Sequence, residues 1–173
     1  MISGGRQPPY FMHNHEYKVM KISEITEAIS NEIVARGCFL VDITISKDND
    51  IEITVESEKG RVELDDCVAI SRHFESRFDR ETEDYALTVT SAGLDQPFKV
   101  LKQYQKAIGS KVEVQMKGGK KLIATLTAAG PESITLTYTA KEAVDGKKKK
   151  EFVEHNESFS MEQINSVRPH IEF

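Results

Sequence analysis

The stretch Lys21–Ser57, KISEITEAISNEIVARGCFLVDITISKDNDIEITVES, changes its hydrophobic period halfway along, and that change decides the fold. Ile22, Ile25, Ile29 and Ile33 recur at spacings of three and four, the stripe of an amphipathic helix. Ser23 is placed to cap that helix and Gly37 to end it. From Phe39 the period drops to two. Phe39, Val41, Ile43 and Ile45 alternate with mostly polar neighbours, Lys47-Asp48-Asn49-Asp50 supplies turn chemistry, and Ile51, Ile53 and Val55 resume the alternation. The pattern predicts a hairpin.

Upstream, residues 1–19 mix Gly, Pro, His and polar residues without a period and read as a flexible leader. Downstream, Gly60 marks a turn, and Asp65 or Asp66 can cap a second helix in which Ile70, Phe74 and Phe78 recur every four residues. Tyr85, Leu87 and Val89 alternate as a third strand. Residues 20–96 therefore read as an α/β domain of order helix-strand-strand-helix-strand, a small sheet with helices packed on one face. After Pro97 the texture changes. A short amphipathic turn around Val100, Leu101 and Tyr104 leads to alternating runs at Val112–Met116, Leu122–Leu126 and Ile134–Tyr138, the first two joined by Lys117-Gly118-Gly119-Lys120. Residues 140–150 read as a loop, Phe152-Val153 as the start of a short strand, Ser160 as the cap of a brief turn, and Val167–Ile171 as a last strand. Five short strands predict a small β-barrel over residues 97–173. The fold class is α+β.

With 173 residues, 39% of them hydrophobic, the chain can bury one medium core or two small ones. No run approaches the roughly eighteen apolar residues of a membrane span, and no basic, apolar and small-residue sequence of a secretory signal is visible. Two cysteines, Cys38 and Cys67, make a disulfide framework improbable, so a reducing cytoplasm is the expected location. The net charge of −5 hides an asymmetry. Residues 1–96 hold 10 Lys and Arg against 19 Asp and Glu, a net of −9, whereas residues 97–173 hold 13 against 9, a net of +4. A polyanion is repelled by the first part and attracted by the second.

Catalytic readings are weak. Val89-Thr90-Ser91-Ala92-Gly93 resembles a nucleophile elbow, but Val stands where the elbow needs Gly, and a structural turn is the simpler reading. Asp65 and Asp66 at a helix entrance are explained by capping and the helix dipole. The five histidines lack ligand spacing and no phosphate-cradling glycine motif is present, so no catalytic, metal or cofactor site and no small-molecule substrate is expected. The basic features carry more weight. Lys117, Lys120 and Lys121 flank a Gly-Gly tip, Lys147, Lys148, Lys149 and Lys150 form a run, and Lys99, Lys102 and Lys106 fall on nearly successive helical turns. Each alone is usually a solvated face, but together they point to an anionic surface such as RNA. Without an aromatic-rich single-strand signature, such binding would depend on backbone and shape.

Two stretches, GRVELDDCVAISR (Gly60–Arg72) and YALTVTSAGLDQP (Tyr85–Pro97), resemble the two signature stretches of the RimP family of bacterial ribosome maturation factors. The resemblance runs from about residue 20 to the end. Leu64, Asp65, Asp66, Cys67, Ser71 and Arg72 match the first motif; Ser91, Gly93, Leu94, Asp95 and Pro97 match the second, at the junction of the two parts. The chain departs at Ala92, where the family commonly has Pro, at Gln96, where it has Arg, and at Ala124, where it often has Gly. The resemblance implies an N-terminal α/β domain followed by an SH3-like (Sm-like) barrel. It also implies a non-enzymatic role: binding the free small ribosomal subunit late in its assembly, through ribosomal RNA and ribosomal proteins, the twelfth small-subunit protein among them. A monomer is expected. The alternatives are a stand-alone Sm-like RNA-binding module, which the acidic first part disfavours, and a protein-binding adaptor.

Overall fold

In the computed structural model, which describes residues 19–173, the isoleucine stripe becomes helix α1, Ile22–Ala35. Ile25, Ile29 and Ile33 are buried, while Ile22 stays half exposed. The helix starts one residue before the expected cap. Lys21 is the capping residue, with no side-chain cap, and Ser23 sits inside the first turn, where Glu24 suits the positive end of the dipole. Gly37, at φ +66°, stops the helix and donates its N–H to the Val34 carbonyl at 2.9 Å. The expected leader falls outside the described residues except for Val19.

Strands β1 (Cys38–Ile45) and β2 (Asp50–Ser57) form the predicted hairpin. Its turn is fixed by Asn49, whose φ of 62° is tolerated by that residue type, and by Ser46 Oγ, which accepts from the N–H groups of Asp48 and Asp50. A register shift between Leu40 and Asp42 makes a bulge that simple alternation does not anticipate. Cys38, Leu40, Ile43 and Ile45 consequently pack with the helices, whereas Phe39 and Val41 are buried outside that cluster. Helix α2 (Leu64–Arg77) then leads to β3 (Ala86–Ser91), which runs parallel to β2, giving the sheet order β1-β2-β3. Ile51, Ile53 and Val55 meet Ile70 and Phe74, all at 1% exposure or less. Tyr85 sets its ring edge-on against Phe74 at 5.2 Å and donates its hydroxyl to the Phe78 carbonyl.

Past Pro97, helix α3 (Leu101–Lys106) precedes β4 (Lys111–Met116), β5 (Lys121–Ala129), β6 (Ser133–Glu142), β7 (Glu151–Ser160) and β8 (Ile164–Pro169). All pairings are antiparallel, in the order β7-β6-β5-β4-β8. Tyr104, Val112, Val114, Leu126, Ile134, Leu136 and Val167 form a second, separate core. The second sheet is an open ladder: its edges are β7 and β8, and no pairing between them closes a barrel among the described residues. The lysine loop is also shorter than expected, because β6 continues to Glu142 and β7 begins at Glu151. Ser160 does cap a turn, accepting from the Glu162 N–H at 3.3 Å, but the last strand starts at Ile164 and ends at Pro169.

Candidate nucleic-acid interface

The first motif surrounds the start of α2. The capping residue is Glu63 rather than either aspartate; Asp66 serves from the third helical position, its Oδ2 accepting from the Glu63 N–H at 3.0 Å. Asp65 is exposed in the first turn, where its charge favours the helix. Leu64 is 78% exposed, Cys67 and Ser71 are half-buried, and Arg72 faces solvent.

The second motif carries the chain from one sheet to the other. Ser91 ends β3 opposite Val55, and the Ala92 N–H donates to the Val55 carbonyl. A turn follows in which the Gln96 N–H donates to Gly93 O at 3.1 Å. A Cβ on Gly93 would stand 2.9 Å from Asp95 Oδ1 and 3.1 Å from Gln96 Cγ, so glycine lets those side chains fold back over the turn. Asp95, Pro97 and especially Leu94 are exposed. The Phe98 N–H then donates to Val167 O at 2.8 Å, joining the segment to the second sheet. A cleft of about 330 Å³ brings Gly60–Val62 of the first quoted stretch against Ser91–Leu94 and Gln96 of the second, with Gln103 and Lys106 in its wall. Ser91 itself is exposed at the end of β3.

The ten lysines divide into two groups. Lys99, Lys102 and Lys106 turn toward the first sheet. Lys99 Nζ lies 2.6 Å from Asp42, Lys102 Nζ 2.6 Å from Glu58, and Lys106 Nζ 3.1 Å from Glu56, while also donating to Gly60 O at 2.8 Å. The Phe39 ring lies under Lys102, 5.5 Å from its ammonium. Between them sits Gln103, at 4% exposure the one buried polar side chain among the described residues. Its Oε1 accepts from the N–H groups of Lys99 (2.6 Å) and Val100 (3.2 Å), and its Nε2 donates to Glu56 Oε2 at 3.0 Å. Sequence reasoning missed this residue, although its spacing from Val100 is that of the third position in a capping box.

The other lysines face outward. Lys117, Lys120 and Lys121 are exposed around a turn held by the Met116 N–H on Lys120 O and by Gly119 at φ +89°. Neither they nor Lys148, Lys149 and Lys150 have a carboxylate partner among the described residues, whereas Lys147 pairs with Glu151 at 2.5 Å. Because β5 runs antiparallel to β6, the start of β5 and the end of β6 lie toward the same end of the sheet. Lys121 and Thr139 accordingly line one depression. At the β4–β8 pairing, hydrogen bonds from Arg168 and then His170 hold the Glu113 carboxyl below the usual carboxylate range.

These features define the class: an α+β protein of two joined sheets, with unpaired lysines gathered at one end of the second. Residues 28–95 match the family model of the RimP N-terminal domain. The chain is 37% identical over 127 residues to the ribosome maturation factor RimP of Porphyromonas gingivalis, covering 73% of this chain and 83% of that one. It is 36% identical over 129 residues to the RimP of Flavobacterium psychrophilum, covering 75% and 82%. For the RimP of Christiangramia forsetii the figures are 34% over 122 residues, covering 70% and 77%. The chain belongs to the RimP family of ribosome maturation factors.

Proposed function

We propose that this protein binds the free small ribosomal subunit late in its assembly and favours a conformation competent for later steps, without catalysing a reaction. The reading takes residues 20–96 as an α/β domain and 97–173 as an SH3-like domain, acting as a cytoplasmic monomer. The observation that carries it is the division of the lysines. Lys117, Lys120, Lys121, Lys148, Lys149 and Lys150 hold uncompensated charge at one end of the second sheet, where phosphates can reach it. The α3 lysines, by contrast, are already matched to Asp42, Glu56 and Glu58 and serve the junction. The motif residues at that junction act by setting the angle between the domains. The acidic first domain suits basic ribosomal proteins, of which the twelfth small-subunit protein is the expected partner, and it discourages misplaced RNA contact. Tighter binding to one subunit conformer is sufficient for this role, since each 1.4 kcal/mol or so of preference shifts the population about tenfold.

Co-sedimentation with purified small subunits, large subunits and joined ribosomes tests the proposal. Selective retention on free small subunits, weakening as salt rises, is the expected result. Equal binding to all three particles, or to none, would overturn it.

A further inference from the structure

The end of the β6–β7 hairpin separates from the rest of its sheet, since β5 continues past Thr125 to Lys121 paired only with β4. Strand β6 pairs with β5 only as far as Thr125↔Thr137, but its pairing with β7 continues to Glu142↔Glu151. Residues 138–142 and 151–155 are therefore a two-stranded ribbon. One face of the ribbon is held at its base: the rings of Tyr138 and His155 stack at 5.1 Å, Tyr138 donates to Glu157, and His155 Nε2 lies 2.6 Å from Glu142. On the other face Lys141 and Phe152 stand directly opposite each other across the strands. Phe152 is 71% exposed, with no apolar cover, and the Lys141 ammonium lies 5.1 Å from its ring centroid.

The surrounding charge decides what such a ring would meet. Residues 141–154 hold five lysines against Glu142, Asp145, Glu151 and Glu154, a net of +1. Glu151 is paired with Lys147, while Lys141, Lys148, Lys149 and Lys150 have no carboxylate partner among the described residues. An aromatic ring flanked by lysines without carboxylate partners matches an unpaired nucleotide, whose base offers a π-face and whose phosphates offer charge. A base inside a duplex has both faces covered and cannot stack in this way.

We propose that Phe152 is a stacking platform for an unpaired RNA base, with Lys141 and Lys148–Lys150 holding the adjacent phosphates. This deepens the reading of the lysine end as an RNA-contacting surface and rests on it. It adds a base contact to the backbone and shape contacts expected from the sequence.

The chain contains no tryptophan, so Phe152→Trp supplies a single fluorescent reporter at the site. Titration of the full chain with a single-stranded oligoadenylate should quench that emission saturably, and a duplex RNA of equal length should quench it far less. Phe152→Ala should lower affinity for the single strand by about tenfold while leaving duplex binding and the circular dichroism melt unchanged. Binding of the oligoadenylate without quenching, or equal quenching by the duplex, would overturn the stacking role and leave the lysine surface in place. Failure of both RNAs to bind at low salt would overturn the RNA-contacting reading itself.

Discussion

Replacing Gln103 with Leu keeps the apolar bulk in the junction and removes three hydrogen bonds. The N–H groups of Lys99 and Val100 lose their acceptor, and Glu56 loses one donor while keeping Lys106. Each stranded N–H in this part-buried place costs about 1–2 kcal/mol, toward the lower end of the range for unsatisfied donors. The missing bond to Glu56 adds about 1 kcal/mol, so the total is roughly 3–5 kcal/mol. That loss falls on the junction and not on either core, because the two hydrophobic clusters share no residue. Hydrogen exchange is the direct assay. The Lys99 and Val100 amides should lose protection in Gln103→Leu, while core amides such as those of Ile53 and Leu136 keep theirs. Calorimetry should show the two halves unfolding less cooperatively. Gln105→Leu, on the exposed side of the same helix, should change neither. Unaltered protection of Lys99 and Val100 in Gln103→Leu would refute the argument that this side chain joins the two parts.

Three further outcomes follow from the same geometry. Phe74→Ala removes a ring with no exposure that packs on Phe78 and Tyr85, and should cost about 3–5 kcal/mol in a urea melt; a loss under about 1 kcal/mol would contradict the core described. Because the Glu113 carboxyl titrates low in the folded state, its stabilising effect is present above the unfolded value and is lost as pH falls through the lower folded value. An NMR titration should find its midpoint below the ordinary glutamate range and see it rise in Arg168→Gln; an unmoved midpoint would sink the assignment. Burial, with the Asp66 charge adding to it, pushes the thiols of Cys38 and Cys67 up, so both should alkylate slowly at neutral pH, and Cys38 should react only on unfolding. Rapid labelling of Cys38 in the native chain would count against that burial.

The elements most legible in the sequence are those with one strong period and one buried face. The Ile25, Ile29, Ile33 stripe and the Ile51, Ile53, Val55 alternation both sit where their spacing places them. Where the period is interrupted, the pattern misleads. The bulge at Leu40–Asp42 moves Phe39 and Val41 away from the face that Ile43 and Ile45 share, and an alternation count cannot register an inserted residue. Strand β7 looks short in the sequence because Glu154-His155-Asn156-Glu157 is polar on both faces, as edge strands commonly are. At the junction, the spacing of Lys99, Lys102 and Lys106 is visible, but the partners of Lys102 and Lys99 lie 44 and 57 residues earlier and belong to a different sheet. Only the tertiary arrangement separates cations that hold the molecule together from cations available to a partner.

That separation is best tested by the salt dependence of binding to free small subunits. Neutralising the outward turn with Lys117→Gln, Lys120→Gln and Lys121→Gln together should flatten the plot of log affinity against log salt by about two, since each of three phosphates left without its lysine accounts for roughly 0.7 of the slope. Neutralising Lys99, Lys102 and Lys106 in the same way should leave the slope unchanged. A flattened slope in the second variant with none in the first would contradict the account.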